Sequence, residues 1–399
     1  MLNLLEGIKV VDFTTVVLGP YATQFLGDFG AEVIKVEPPE GDGFRSVRPG
    51  PSPDVGAGFA NFNRNKRSLV LDLKQPGGQE ILAKLVAQAD VVVHNMRAKS
   101  AAALGIDYAQ LKGIKPDLVY CWSPGFASLG PDADSPAYDD IIQARSGMAA
   151  LNADASGAPQ FFRSILCDKV VGLHLAMAIA SALVHKLRTG QGQSIEVPML
   201  ETMTSFLLAE HLAGHTMDPP QGELGYQRLM SAHRRPFRTR DGFMAIMPYS
   251  TRQWVRFLEL VQAHELATAA WVNDAGARSD RIDELYELIA RVAPDKTNEQ
   301  WLSQLQERDI PCAPVNGLAD VFADPQLQAS GVLQKLSDQG LGPMQYLRPS
   351  FYAEQESDAE PRRAPKLGEH GLTVLQQLGL SEVEIKAAID SGIVGLSGD

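Results

Sequence analysis

Cysteine is scarce in this chain: three among 399 residues, well separated at Cys121, Cys167 and Cys312. An odd, dispersed set builds neither a disulfide framework nor a tetrahedral zinc site. It fits a reducing, cytoplasmic setting. Positive charge is outnumbered, with 36 Lys and Arg against 48 Asp and Glu and a net charge of −12. That balance argues against nucleic acid and anionic membrane surfaces as partners, because both select a basic face. The most apolar stretch, Val170–Val184, holds His174 and is shorter than the roughly 20 residues that cross a bilayer, so it is expected to be a buried helix. No basic segment precedes an apolar core in Met1–Glu6, and no signal peptide is expected there. The turn after the first strand, Thr14–Pro20, lacks the G-x-G-x-x-G of dinucleotide-binding folds, so Glu37 reads as a surface acid rather than a ribose ligand. Walker A and G-x-S-x-G sequences are missing, as is any His/Cys/Asp cluster at metal spacing. A resident nicotinamide, a P-loop nucleotide and a bound metal are therefore not expected.

What is present alternates. Ile8–Phe13, Ala31–Glu37, Ser68–Leu73, Asp90–His94 and Leu118–Trp122 read as strands, several almost wholly apolar. Strands of that kind are covered on both faces, which implies a mostly parallel sheet between helices. Tyr21–Phe29 and Gly77–Ala89 carry helical periodicity. The fold class is thus α/β, with a doubly wound, Rossmann-like sheet. After Gly190 the texture changes. Asp241-Gly242 between alternating arms over Phe237–Met247 predicts a hairpin. Helices are expected at Thr251–Val261 and Ile282–Val292, and Thr297 with Gln300 spells a capping box for a third. These features give a large domain over 1–224, a smaller α+β domain over 225–325, and a C-terminal segment, 326–399, that returns to the large domain.

Candidate chemistry gathers at few positions. Asp168 stands at the mouth of the apolar helix. A carboxylate there is either an N-cap or, set beside buried surface, a covalent nucleophile. Tyr138-Asp139-Asp140 opens another helix. Ser123-Pro124-Gly125-Phe126 ends a strand, where glycine permits close approach to a ligand. Arg45, Arg64, Lys66, Arg67, Lys74 and Arg97 fall near strand ends, where a phosphate-bearing ligand of an open α/β sheet would lie.

The stretches Leu5–Phe13 with Gly19-Pro20, Gly30–Pro38, Asn63–Ser68, Leu71–Lys74, Asn95–Arg97, Thr189–Gln193 and Leu367–His370 together resemble family III CoA-transferases. The resemblance runs in order through nearly the whole chain. It implies that Asp168 is the nucleophile. It further implies that CoA lies at the carboxyl edge of the sheet against Val17, Leu18, Leu71, Asp72, Leu73, Lys74, Asn95, Met96, Arg97, Tyr138 and Asp139. The cations, Arg45 among them, are candidate partners for CoA phosphates or an acceptor carboxylate. The implied enzyme is an acyl-CoA:carboxylate CoA-transferase working through an aspartyl anhydride and an aspartyl-CoA thioester. It would have coenzyme A as substrate, no permanently bound cofactor and no metal, and it would form an interlocked-ring homodimer. The family also holds α-methylacyl-CoA racemases, which place His-Asp where Tyr138-Asp139 stands here. A phenol, with an ordinary pKa of about 10, is a poor proton carrier at neutral pH, which favours transfer over isomerisation. A racemase-like isomerase, a non-catalytic CoA-binding paralogue and an NAD oxidoreductase are the alternatives.

Overall fold

Runs such as Val91-Val92-Val93 can bury side chains on both faces at once only inside a sheet covered on both sides, and the chain folds that way. The structure is a computed structural model that describes residues 2–338, 341–354 and 360–397. Part of the predicted C-terminal segment 326–399 therefore lies outside the described residues. Six parallel strands come first: β1 (Lys9–Asp12), β2 (Glu32–Glu37), β3 (Lys66–Leu71), β4 (Val91–His94), β5 (Val119–Trp122) and β6 (Ser194–Glu196). They lie in the order β3-β2-β1-β4-β5-β6. This is the doubly wound arrangement, and its order reverses between β1 and β4. The crevice outside the carboxyl ends of those two strands is where such sheets bind ligands.

Helices α1 (Leu18–Asp28), α2 (Pro76–Ala87), α3 (Asp139–Arg145) and α4 (Leu166–Thr189) belong to the same unit. Successive side chains of the strands feed two cores. Val10, Val33, Val91 and Val93 pack with Ala22 and Leu26 of α1 and with Val171, Leu175 and Ile179 of α4. Val11, Ile34, Leu69 and Val92 pack on the opposite side with Ile81, Leu82 and Leu85 of α2. The apolar helix departs from expectation. It runs for 24 residues, long and apolar enough to cross a membrane by length and composition. The expected burial holds for one face: Cys167, Val171, Leu175, Ile179 and Leu183 are buried against the sheet and α1.

The chain divides into two compact units, Met1–Leu207 with Ser330–Asp399, and Leu208–Ala329. In the smaller unit, β7 (Phe237–Arg238), β8 (Phe243–Ile246) and β9 (Cys312–Pro314) form an antiparallel sheet in that order. Asp241-Gly242 turns the first hairpin, as predicted. Its helices include α5 (Thr251–Leu260), α6 (Ala275–Asp280), α7 (Ile282–Val292) and α8 (Asn298–Gln306). The Thr297–Gln300 capping box is formed.

Sequence periodicity missed the strands of the returning C-terminal segment. Leu333–Asp338 (β10) and Gly342–Leu347 (β11) make an antiparallel hairpin where only loops were expected. After α9 (Gly371–Gln377) and α10 (Glu382–Asp390), the two-residue strand β12 (Val394–Gly395) pairs antiparallel with Leu71 and Val70 at the edge of the large sheet. Two residues are too few to show any period.

Candidate active site

The carboxyl ends of β1 and β4 flank the switch point, and the residues leaving them are tied together. The Asn95 side chain accepts from the Thr15 N–H and donates to the Thr15 carbonyl, both at 2.9 Å. The β1 turn is pinned from three further directions. Asp12 accepts the Thr14 N–H at 2.8 Å. Lys35 Nζ donates to the Thr14 carbonyl at 2.7 Å. Asp42, paired with Lys35 at 2.9 Å, accepts the Val16 N–H at 3.1 Å. Val16 has φ 69°, a region that a β-branched residue rarely enters. Such backbone persists only where its surroundings over-determine it, and here a buried ion pair does so. Gly19 is required in this turn, because a Cβ there would lie 2.2 Å from Thr14 Cβ.

Beside the turn is a cavity of about 440 Å³ that includes Val17, Leu18, Asn95, Arg97, Tyr138 and Asp168 in its wall. Asp168 is the third residue of α4, not its N-cap, which is Ile165. The capping reading of Asp168 is thereby overturned. No hydrogen-bond donor among the described residues reaches its carboxylate, although only 9% of the residue is exposed. Burial first, and then the charge of Asp139, raise its pKa from the ordinary carboxylate value to about 7.

Asp139 sits behind Asp168 rather than in the cavity wall. Its Oδ1 accepts the Asp168 N–H at 3.0 Å, and its Oδ2 accepts from Gln143 Nε2 at 2.6 Å. Asp139, expected to contact CoA, thus has both carboxylate oxygens engaged within the protein and does not line this cavity. The Asp168 N–H, already bonded, is not free to stabilise an oxyanion. Gly125 keeps the far wall thin, since a Cβ there would meet Ala137 Cβ at 2.3 Å.

A second cavity, about 140 Å³, is lined by Leu71, Asp72, Leu73 and Lys74 together with Phe13 and Pro38. Met96 lines both cavities. Its loop is set by His94, whose Nδ1 accepts the Met96 N–H at 3.2 Å. Nε2 of that ring therefore carries the proton, and it faces the Tyr120 hydroxyl. Burial pushes the His94 pKa down to about 4, so the ring is neutral.

The predicted cations separate into two groups. Arg45 is buried and bidentate on Glu37, at 2.7 Å through both Nε and Nη2. It also donates to the carbonyls of Asp54 and Pro365 and stacks over Phe59. Most of its donors are thus engaged within the protein, and this candidate partner for CoA phosphate lines neither cavity. Glu37, expected at the surface, is the buried partner. Arg64 pairs with Asp28, Lys66 with Asp12, and Arg67 with Glu32. Lys74 and Arg97 stay exposed on the two cavities.

Sequence reasoning missed Lys35 and Asp42. The visible signal was a lysine among Val33, Ile34 and Val36 in the middle of the strand EVIKVE, whose burial demands a partner.

The sequence matches CoA-transferase family III over residues 5–371. It is 31% identical over 381 residues to a succinate–glutarate CoA-transferase of Agrobacterium fabrum, covering 94% of this chain and 95% of that one. It is 29% identical over 400 residues to the human succinyl-CoA:glutarate CoA-transferase, covering 98% and 90%. Among solved structures, a CAIB/BAIF family protein from Brucella suis superposes with a TM-score of 0.76 at 33% identity, covering 94% of this chain and 99% of that one. With the switch-point cavity and its carboxylate in place, these likenesses have one reading: the chain belongs to CoA-transferase family III and is a CoA-transferase.

Proposed function

We propose that the protein moves CoA between small carboxylic acids, with Asp168 as covalent nucleophile. The observation that carries this reading is a buried carboxylate, free of hydrogen-bond donors among the described residues, in the wall of the switch-point cavity. A carboxylate stripped of water and of donors is a stronger nucleophile than a solvated one.

In the proposed cycle, Asp168 attacks the thioester carbonyl of the acyl-CoA. The C–S bond breaks, leaving a mixed anhydride and CoA thiolate. The thiolate attacks the aspartyl carbonyl and expels the first carboxylate, so that CoA is held on Asp168 as a thioester. The acceptor carboxylate attacks that thioester, giving a second anhydride and free thiolate. The thiolate then takes the new acyl group and restores the Asp168 carboxylate. Each step exchanges one acyl bond for another, and the protein's share is positioning and exclusion of water.

CoA is proposed to run from the smaller cavity at Leu71–Lys74, past Met96, to Asp168. Val17, Leu18, Asn95, Arg97 and Tyr138 lie on the larger cavity, and Lys74 and Arg97 supply positive charge. Among the described residues, the titratable side chains of the larger cavity are Arg97, Tyr138 and Asp168, with no imidazole. That supports transfer over racemisation, which needs a second proton carrier across the α-carbon. The names of the two relatives pair succinate with glutarate, so short dicarboxylates are the first acceptors to try.

A homodimer is proposed as well. The solvent side of α4 leaves Leu173, Met177, Val184 and Leu187 uncovered, with Met177 61% and Leu187 76% exposed, and a second copy would bury them. The free thiols of Cys121, Cys167 and Cys312 fit the proposed cytoplasmic location.

The test combines a panel of acyl-CoA donors and mono- and dicarboxylate acceptors with intact-mass detection of CoA on Asp168. Transfer by the native chain and none by Asp168→Asn is the expected result. Near-normal turnover by that variant would refute the nucleophile.

A further inference from the structure

Within the smaller unit is a cavity of about 150 Å³ whose wall includes Arg228, Arg278, Tyr226, Tyr249, Trp254 and Ile282. Two guanidinium groups thus share one small space in a protein of net charge −12. Arg278 is only 7% exposed. Its Nη1 donates to Thr251 Oγ1 at 3.0 Å and to the Val272 carbonyl at 2.5 Å. Arg228 donates from Nε to the Tyr286 hydroxyl at 3.0 Å, contacts Met247 Sδ through Nη2, and lies over the Tyr249 ring. Neutral groups therefore fix both side chains, and each guanidinium keeps further N–H donors that these bonds do not use.

Neither arginine forms an ion pair with a carboxylate among the described residues. Asp274, the acid closest in influence, is engaged in capping α6, where it accepts the Ala277 N–H at 2.8 Å. Burial, and then the positive charge of Arg228, hold the pKa of Arg278 below its ordinary value. Arg228 is half-buried and its charge is favoured by the hydroxyls of Tyr286, Tyr226 and Tyr249, whereas the buried Arg278 bears the repulsion of its neighbour, which an entering anion would relieve. Elsewhere in this chain buried arginines are neutralised: Arg45 by Glu37 and Arg64 by Asp28.

The geometry points to a small-oxyanion site in the smaller unit, formed by the forks of Arg228 and Arg278 and matched to an organic carboxylate. Planar guanidinium groups bind carboxylates bidentately. A space of about five water volumes is enough for a short mono- or dicarboxylate. The Tyr249 ring, over which Arg228 lies, gives the ligand an apolar wall. This site is independent of the aspartyl mechanism.

Equilibrium dialysis of the full chain against radiolabelled succinate tests it, with acetate and inorganic phosphate as competitors. In the absence of CoA, one equivalent of succinate that depends on Arg228 is expected to bind, displaced by acetate at lower concentration than by phosphate. Arg228→Gln should weaken that equivalent at least tenfold, while Asp168→Asn leaves it in place. Absence of binding at millimolar succinate, or equal binding by Arg228→Gln, would overturn the site. Tighter competition by phosphate would overturn its assignment to carboxylates. Should Arg228→Gln not fold, Arg228→Lys keeps the charge and loses the fork. Affinity equal to that of the native chain in this variant would also refute the proposal.

Discussion

Asp168 is stabilised poorly where it stands, and that has consequences of opposite sign for stability and for reaction. Its folded-state pKa of about 7 lies above the ordinary 3.8. The unfolded chain therefore releases this proton at lower pH than the folded chain does. The resulting penalty on folding is absent below about pH 4, grows as pH rises, and is complete above about pH 7. Each tenfold difference in proton affinity between the two states corresponds to about 1.4 kcal/mol, and the helix N-terminus offsets part of the penalty. Asp168→Asn is thus expected to raise stability at pH 8 by about 1–3 kcal/mol while abolishing transfer. Denaturant titrations at pH 8 and pH 4 should show the gap closing at the lower pH. Turnover, which needs the ionised form, should rise through pH 7 and then level. A second contrast separates the cations. Arg45→Gln leaves Glu37 buried and unpaired and should cost about 3–5 kcal/mol of stability, with the KM for acyl-CoA little changed in whatever fraction folds. Lys74→Ala should do the reverse, raising that KM with stability preserved. Steady-state kinetics beside thermal unfolding of both variants decides between these roles.

Between elements, close approach matters more than any single bond. Gly172 of α4 faces the Leu18 carbonyl of α1, and an added Cβ would lie 2.7 Å from that oxygen. Gly172→Ala should therefore push the helices apart, lowering stability by about 1–3 kcal/mol and displacing the turn that carries Val17. Asp42→Asn removes the charge facing Lys35 and weakens the hold on Val16. It is expected to lower kcat more than it changes the KM for acyl-CoA, measured by the same kinetics. The strands were legible beforehand because burial on both faces leaves an apolar run, as in Val91–Val93, that no helix or loop imitates over so few residues. Ile282–Val292 was legible because its stripe repeats over three turns. The partners of the cations were not. Arg45 meets Pro365, and Lys66 meets Asp12, across sequence separations of 320 and 54, and nothing local encodes such meetings. The place of Asp168 within its helix was hidden for another reason. The helix begins at Leu166 without a side-chain cap, so no capping residue marked its start. That small displacement turns an end-stop into an unoccupied carboxylate.

For the whole molecule, the uncovered apolar side of α4 governs assembly in the proposed dimer. Met177→Glu with Leu187→Glu is expected to convert a dimer to monomers with the fold retained. Sedimentation velocity reads the change, and a native chain that is itself monomeric would reject the dimer. The outer edge of the large sheet is closed from within the same chain. Gly368 N–H meets Ser68 Oγ at 3.0 Å, His370 N–H meets the Ser68 carbonyl at 3.0 Å, and β12 pairs with Val70 and Leu71. During synthesis β3 leaves the ribosome long before Val394 exists. At about 10 residues per second, the nascent chain carries that bare strand for on the order of half a minute. An unpaired parallel edge is a template for pairing with other chains, so the newborn polypeptide has to be shielded until its last strand arrives. Messages truncated before the Val394 codon should yield inclusion bodies rather than active enzyme.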